Sequence, residues 1–182
     1  MAKGSAIASL QILSLLLLAS LGQSKTVFTN LTFYDHEFQS GDCQTVFPVA
    51  GLNGTGELYQ FGTVVVIDNI LTRGFSIKSA LLGRSQGIAA VTSPDGNNSE
   101  LLLTFLFTNG TYSGSTVEIK GIFIGSLDVN ELAIVGGTKQ FRYATGYTTL
   151  QVVSQVGDYL IVKVNLYIRQ DIPDDYPGVG NH

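Results

Sequence analysis

The chain has 182 residues, of which 45% are hydrophobic and 13% charged, with 10 Lys and Arg against 14 Asp and Glu for a net charge of −4. That length suits one domain with a proper core, and a charge-poor, mildly acidic surface excludes the electrostatic footprint of a nucleic-acid or polyanion binder. The single cysteine, Cys43, excludes an intrachain disulfide, so packing and closure must hold the fold.

At the N-terminus, Lys3 precedes an apolar run from Leu10 to Leu21 centred on Leu15-Leu16-Leu17-Leu18, too short to span a bilayer. Gly22 and Ser24 occupy the −3 and −1 positions of a cleavage site before Lys25. Residues 1–24 are therefore expected to be a cleaved export signal, and a secreted destination follows. The alternative, a buried N-terminal helix, lacks a capping residue and a polar face. No second membrane segment is expected after cleavage. Four sequons suit a secreted chain: Asn30-Leu31-Thr32, Asn53-Gly54-Thr55, Asn97-Asn98-Ser99 and Asn109-Gly110-Thr111.

From there on, β-branched and aromatic runs recur between clusters of Gly, Asn, Asp, Ser and Pro. Strands are expected near Val27 to Phe38, Tyr59 to Asp68, Ala80 to Thr92, Leu101 to Phe107, Gly114 to Ile124, Glu131 to Val135, Tyr143 to Gln155 and Tyr159 to Arg169. The turns Ser93-Pro94-Asp95-Gly96, Asn109-Gly110 and Gly157-Asp158 join neighbours in antiparallel order. Val117 and Ile119 alternate with Glu118 and Lys120, and Val162 to Ile168 alternate with Lys163 to Arg169, so these strands have one wet face. About eight such strands without long crossovers fit a sandwich or a barrel. An all-β, eight-stranded, closed antiparallel barrel over residues 25–170 is favoured, because closure leaves no open edge in a chain without disulfides. Residues 171–182, rich in Pro, Gly and Asp, are expected to form a mobile acidic tail.

With Asn30 facing outward as a glycan site, strand alternation also turns Thr32, Tyr34 and His36 outward and Leu31, Phe33, Asp35 and Glu37 inward. Two carboxylates two residues apart on a barrel lining raise each other's pKa, which makes one a proton donor. The alternative is a strand end in contact with water. Asp68 closes a strand before Asn69-Ile70-Leu71-Thr72 and has a turn-capping role or, less simply, a pocket role. Arg84 stands between Gly83 and Gly87, whose missing side chains allow close backbone approach. It is expected to be a buried partner for a carboxylate such as Asp68, or else a pocket contact, and the same holds for Arg142 after the Gly136-Gly137-Thr138 turn. No Cys/His cluster offers a metal site, no Gly-x-Ser-x-Gly elbow offers a nucleophile, and no glycine-rich loop opens a helix, so neither metal nor cofactor is expected.

The blocks Phe33-Tyr34-Asp35-His36-Glu37, Phe61-Gly62-Thr63-Val64-Val65-Val66-Ile67-Asp68, Gly83-Arg84-Ser85-Gln86-Gly87, Tyr112-Ser113-Gly114-Ser115-Thr116, Val135-Gly136-Gly137-Thr138 and Phe141-Arg142-Tyr143-Ala144 occur in that order. Together they resemble the dirigent family of plants. The resemblance implies an apoplastic eight-stranded barrel that forms homo-oligomers, dimers or trimers. It also implies stereoselective coupling of phenoxy radicals from monolignols such as coniferyl alcohol, with the radicals made by a separate laccase or peroxidase. Some members act as enzymes on quinone methides, including ring closure to pterocarpans.

The family's His-Asp pair falls on His36-Glu37, which makes Glu37 the foremost site residue by resemblance. Asp35 replaces a usually apolar residue. An Asp and an Arg of the lignan-forming members are here Phe123 and Asn130, the usual Gly after Thr138 is Lys139 and the Arg after Ala144 is Thr145. Three functions stand as expectations: stereo-directed radical coupling in a cavity lined by Leu31, Phe33, Val64 and Val66; acid–base chemistry on a quinone methide or isoflavonoid by Glu37 with Asp35 or Asp68; and a glycosylated cell-wall scaffold for lignin deposition or defence.

Overall fold

The computed structural model describes residues 24–52, 54 and 56–173. Nearly all of the expected export signal, Asn53 of the second sequon and residues 174–182 of the expected tail lie outside the described residues. Nine strands follow in order: β1 (Ser24–Phe38), β2 (Val46–Ala50), β3 (Val64–Thr72), β4 (Leu81–Val91), β5 (Asn98–Phe107), β6 (Thr116–Ile124), β7 (Asn130–Gly137), β8 (Ala144–Val156) and β9 (Tyr159–Pro173). One short 3-10 turn, Lys139–Phe141, precedes β8.

The strands pair antiparallel in the spatial order β1-β9-β8-β7-β6-β5-β4-β3-β2. β1 also meets β3 through Tyr34–Thr72, Asp35–Leu71 and His36–Ile70, so the eight strands other than β2 close into the expected barrel. The seam is narrow because β1 and β3 share only those three pairs before they diverge. β2 fills the gap by pairing with Val64 to Ile67 of β3. Thr45 just before it completes the stitch: its N–H donates to Phe38 O at 2.8 Å and its carbonyl accepts from Asp68 N at 2.9 Å.

β2 is absent from the strands expected from the sequence. Pro48 stands in its middle and cannot donate to a ladder, which is tolerated here because β2 has a partner on one side only. At the other terminus, β9 continues through Asp171-Ile172-Pro173, where a tail was expected. The long N-terminal half of β1 supplies its partners, Ser24 to Thr26, and Thr26 Oγ1 donates to Asp171 Oδ1 at 2.7 Å.

Alternation places Val117, Ile119, Val164, Leu166 and Ile168 in the core as anticipated. In β4, a Cβ on Gly83 would sit 1.9 Å from Leu106 O and one on Gly87 2.1 Å from Leu102 O, so the close approach of β5 requires glycine at both places. At the middle of the barrel, Phe33 packs edge-on against Phe105 and Phe107, with ring centroids 5.2 and 5.9 Å away. This aromatic layer floors a cavity that opens toward the C-terminal end of β1.

Candidate functional site

The cavity above the Phe105 ring encloses about 170 Å³. An apolar cavity of ~150 Å³ admits a benzene ring, so this space takes at least one aromatic group. Its wall is mainly apolar, with Val65 and Ile67 from β3, Leu101 and Leu103 from β5, and Leu160 and Val162 from β9. Into it project Asp35, Glu37 and Asn69. Tyr59, Ser99, Phe123 and Val152 line both the cavity and an outer groove of about 580 Å³, which is edged by Asp95, Asp128, Gln151 and Gln155.

Asp35 is 6% exposed. Burial first, and the neighbouring Glu37 charge second, push its pKa up from 3.8 to about 7; Ser85, Asn69 and the Arg84 charge pull it back only in part. Its Oδ1 and Ser85 Oγ are both fully buried and make no hydrogen bond of standard geometry among the described residues, although the Ser85 hydroxyl is near enough to favour the charged carboxylate. Burial also raises the pKa of Glu37, opposed by hydrogen bonding from Gln39 and Asn69.

Gln39 and Asn69 order this pair, and each is held by a further residue. Gln39 Nε2 donates to Glu37 Oε1 at 2.7 Å and reaches the Tyr59 hydroxyl at the mouth. Thr45 Oγ1 donates to Asn69 Oδ1 at 2.6 Å, which leaves the Asn69 amide N–H groups for the two acids. The result is a mainly apolar, aromatic-sized chamber lined by a carboxylic acid that holds its proton up to about pH 7.

A family model described as Dirigent-like protein matches residues 28–169. The chain belongs to the dirigent family. Dirigent protein 11 of Arabidopsis thaliana is 34% identical over 81% of this chain and 77% of its own length. Pterocarpan synthase 1 of Glycine max is 39% identical over 70% of this chain and 69% of its own. A solved structure of a pterocarpan synthase dirigent protein superposes with a TM-score of 0.76 at 34% identity, covering 84% of this chain and 95% of that one.

The dirigent barrel brings together only some of the residues singled out from the sequence. Asp35 and Glu37 share the cavity, and Asp35 is buried rather than at a wet strand end. Leu31 and Phe33 point inward, but they line a separate cleft on the far side of the aromatic layer, with Leu82, Phe107 and Tyr112. Val64 and Val66, expected in the lining, take the outer phase instead: Val65, Ile67, Asn69 and Leu71 point inward, and Val66 is 41% exposed on the outside. The run Val64-Val65-Val66-Ile67 is apolar on both phases, so alternation alone gives it no direction.

Asp68 shares the outer phase and is no cavity acid. The expected Asp68–Arg84 pair does form, on the outer wall rather than buried: Arg84 Nε donates to Asp68 Oδ1 at 2.8 Å and Nη2 lies 2.7 Å from Oδ2. This guanidinium holds the Asp68 carboxyl below its ordinary range. Neither residue lines the cavity. Arg142 is exposed in the corner before β8, where its carbonyl accepts from Gln170 Nε2 at 2.9 Å, remote from Asp35.

Among the family departures, Phe123 stands where cavity and groove join. Asn130 is buried and grips the β6–β7 turn, its Oδ1 accepting from Ile124 N at 2.7 Å. Asn30, Asn97 and Asn109 are all exposed.

Sequence reasoning passed over Asn69, Ser85, Gln39 and Tyr59. The first two carried a usable signal, since each is a polar residue in the inward phase of its strand. They lie directly opposite each other across β3 and β4.

His36 faces the outside of β1 in register yet is fully buried. Thr72 Oγ1 donates to Gly74 O at 2.7 Å, so toward His36 Nε2, also 2.7 Å away, it must accept. The imidazole therefore carries its proton on Nε2, and Nδ1 accepts from the Tyr159 hydroxyl at 2.7 Å. Burial lowers the pKa of His36. This polar chain locks the β1–β3 seam and is no part of the cavity chemistry.

Proposed function

We propose that this dirigent protein binds a phenolic quinone methide in the acid-lined cavity and directs its ring closure, with Asp35 as the proton donor and Glu37 as its partner. The observation that carries the reading is the buried Asp35 carboxyl, which lines an aromatic-sized space beside Glu37 and whose pKa burial raises to about 7. Asp35 O–H protonates the quinone methide oxygen, and the methide carbon becomes an electron-poor benzylic centre. A hydroxyl elsewhere in the same molecule adds to that carbon and forms the new C–O bond. The proton it releases returns to the Asp35 carboxylate, so atoms and electrons balance without an oxidant. The chemistry fits the pterocarpan synthase names of its relatives, and Phe123 adds an aromatic wall at the mouth.

A second reading is favoured by the apolar wall: stereo-directed coupling of monolignol radicals supplied by an external laccase or peroxidase. Shielding one face of each radical requires only ~2–3 kcal/mol between competing geometries for a ratio of about 30 to 150. In either case the protein works after export to the apoplast, as a glycoprotein and homo-oligomer.

The test is turnover of a para-quinone methide that carries an internal hydroxyl, in the absence of oxidant, followed by chiral chromatography. Enantiomerically enriched cyclic product that is lost in Asp35→Asn supports the acid-catalysed reading. Racemic product at the uncatalysed rate refutes it. An enantiomeric excess in coniferyl alcohol dimers only when laccase is added would establish radical coupling instead.

A further inference from the structure

We propose that Asn30 carries an N-linked glycan whose first N-acetylglucosamine lies on an aromatic platform of Tyr167 and Tyr147 on the outer wall of the barrel. Asn30, Tyr167 and Tyr147 stand side by side on the outer wall, since Asn30 is the cross-strand partner of Tyr167 and Tyr167 of Tyr147. The two tyrosine rings are stacked, with centroids 4.6 Å apart and planes 21° from parallel. They remain 37% and 41% exposed, and Phe28, two residues before Asn30 on the same face, is 74% exposed. Directly opposed residues on one sheet face hold their Cβ atoms about 5 Å apart, so a sugar on the Asn30 amide has the Tyr167 ring beside it. The apolar C–H face of a hexose packs on such a ring.

One further observation sets this sequon apart from the other two whose asparagine is described. The Asn97 amide donates to Asp95 Oδ2 at 2.8 Å and the Asn109 amide to Thr108 Oγ1 at 3.0 Å, whereas the Asn30 side chain makes no hydrogen bond among the described residues.

The modification rests on the export reading. There, a lipid-linked oligosaccharide donor gives up its sugar C1 to the Asn30 amide nitrogen, the lipid diphosphate leaves, and the amide loses one proton. The test expresses the full chain in a secreting plant or insect cell and measures occupancy of each sequon by glycopeptide mass spectrometry. Expected are an occupied Asn30 and an Asn30→Gln variant that melts about 2–4 °C lower. In Tyr167→Thr, with Tyr147→Thr as the second variant, Asn30 stays occupied but removing its glycan costs under about 1 °C. An empty Asn30 beside occupied Asn97 or Asn109 overturns this inference alone. No modified sequon on a retained protein overturns the export reading with it, and an unchanged glycan effect in both tyrosine variants overturns the platform.

Discussion

Replacing Asp35 by Asn tests the energetics of the cavity directly. The folded Asp35 releases its proton near pH 7, against 3.8 for an ordinary Asp. Below pH 3.8 both folded and unfolded chains are protonated and the site carries no penalty. Between pH 3.8 and about 7 the unfolded chain has released the proton while the folded one retains it, so stability falls as pH rises. Above that window the loss is complete. At ~1.4 kcal/mol per pKa unit, the whole loss is about 4 kcal/mol.

Asn at this position fills the same volume and does not titrate. Urea denaturation at fixed protein concentration, from pH 4 to 8, should show Asp35→Asn close to wild type at pH 4 and more stable by roughly 2–4 kcal/mol at pH 8. The difference between the two proteins is the quantity to follow, because His36 titrates in both with the opposite sign. Its folded pKa is lowered, so its contribution is lost as pH falls below its ordinary value of 6.5. Equal pH dependence in the two proteins would refute the assignment of a buried, protonated Asp35.

Other variants probe the frame around it. Phe33→Ala removes the centre of the aromatic layer and should cost about 3–5 kcal/mol by urea denaturation, since Phe33 is 1% exposed between Phe105 and Phe107. Asp68→Asn weakens a half-exposed ion pair on the outer wall and should cost under about 1 kcal/mol, with turnover unchanged in the quinone methide assay. Thr45→Val deletes the hydroxyl that accepts from Phe38 N and donates to Asn69 Oδ1. A loss of about 1–2 kcal/mol is expected, and the pH–rate profile should shift upward, because a freed Asn69 no longer stabilises the charged form of Asp35. An unshifted profile would show that Thr45 does not position Asn69.

Local chemistry in the chain was enough for the barrel itself. Alternation in β6 and β9, turn residues such as Asp95-Gly96 and Gly157-Asp158, and a lone cysteine all point to closed antiparallel strands. The outward sequon at Asn30 was enough to turn Asp35 and Glu37 inward, because a strand has a strict period of two. The same rule fails at Val64-Val65-Val66-Ile67, where both phases are apolar and the β3–β4 register decides. It fails differently at Leu31 and Phe33: they do point inward, but only the assembled Phe33–Phe105–Phe107 layer puts them on the far side from the acids. β2 could not be read because its place depends on the gap where β1 and β3 diverge, a feature of barrel closure. The neutral state of Asp35 was likewise a tertiary decision. A sequence can place two carboxylates on one face, but only the packed walls around them remove the water that would let both ionise.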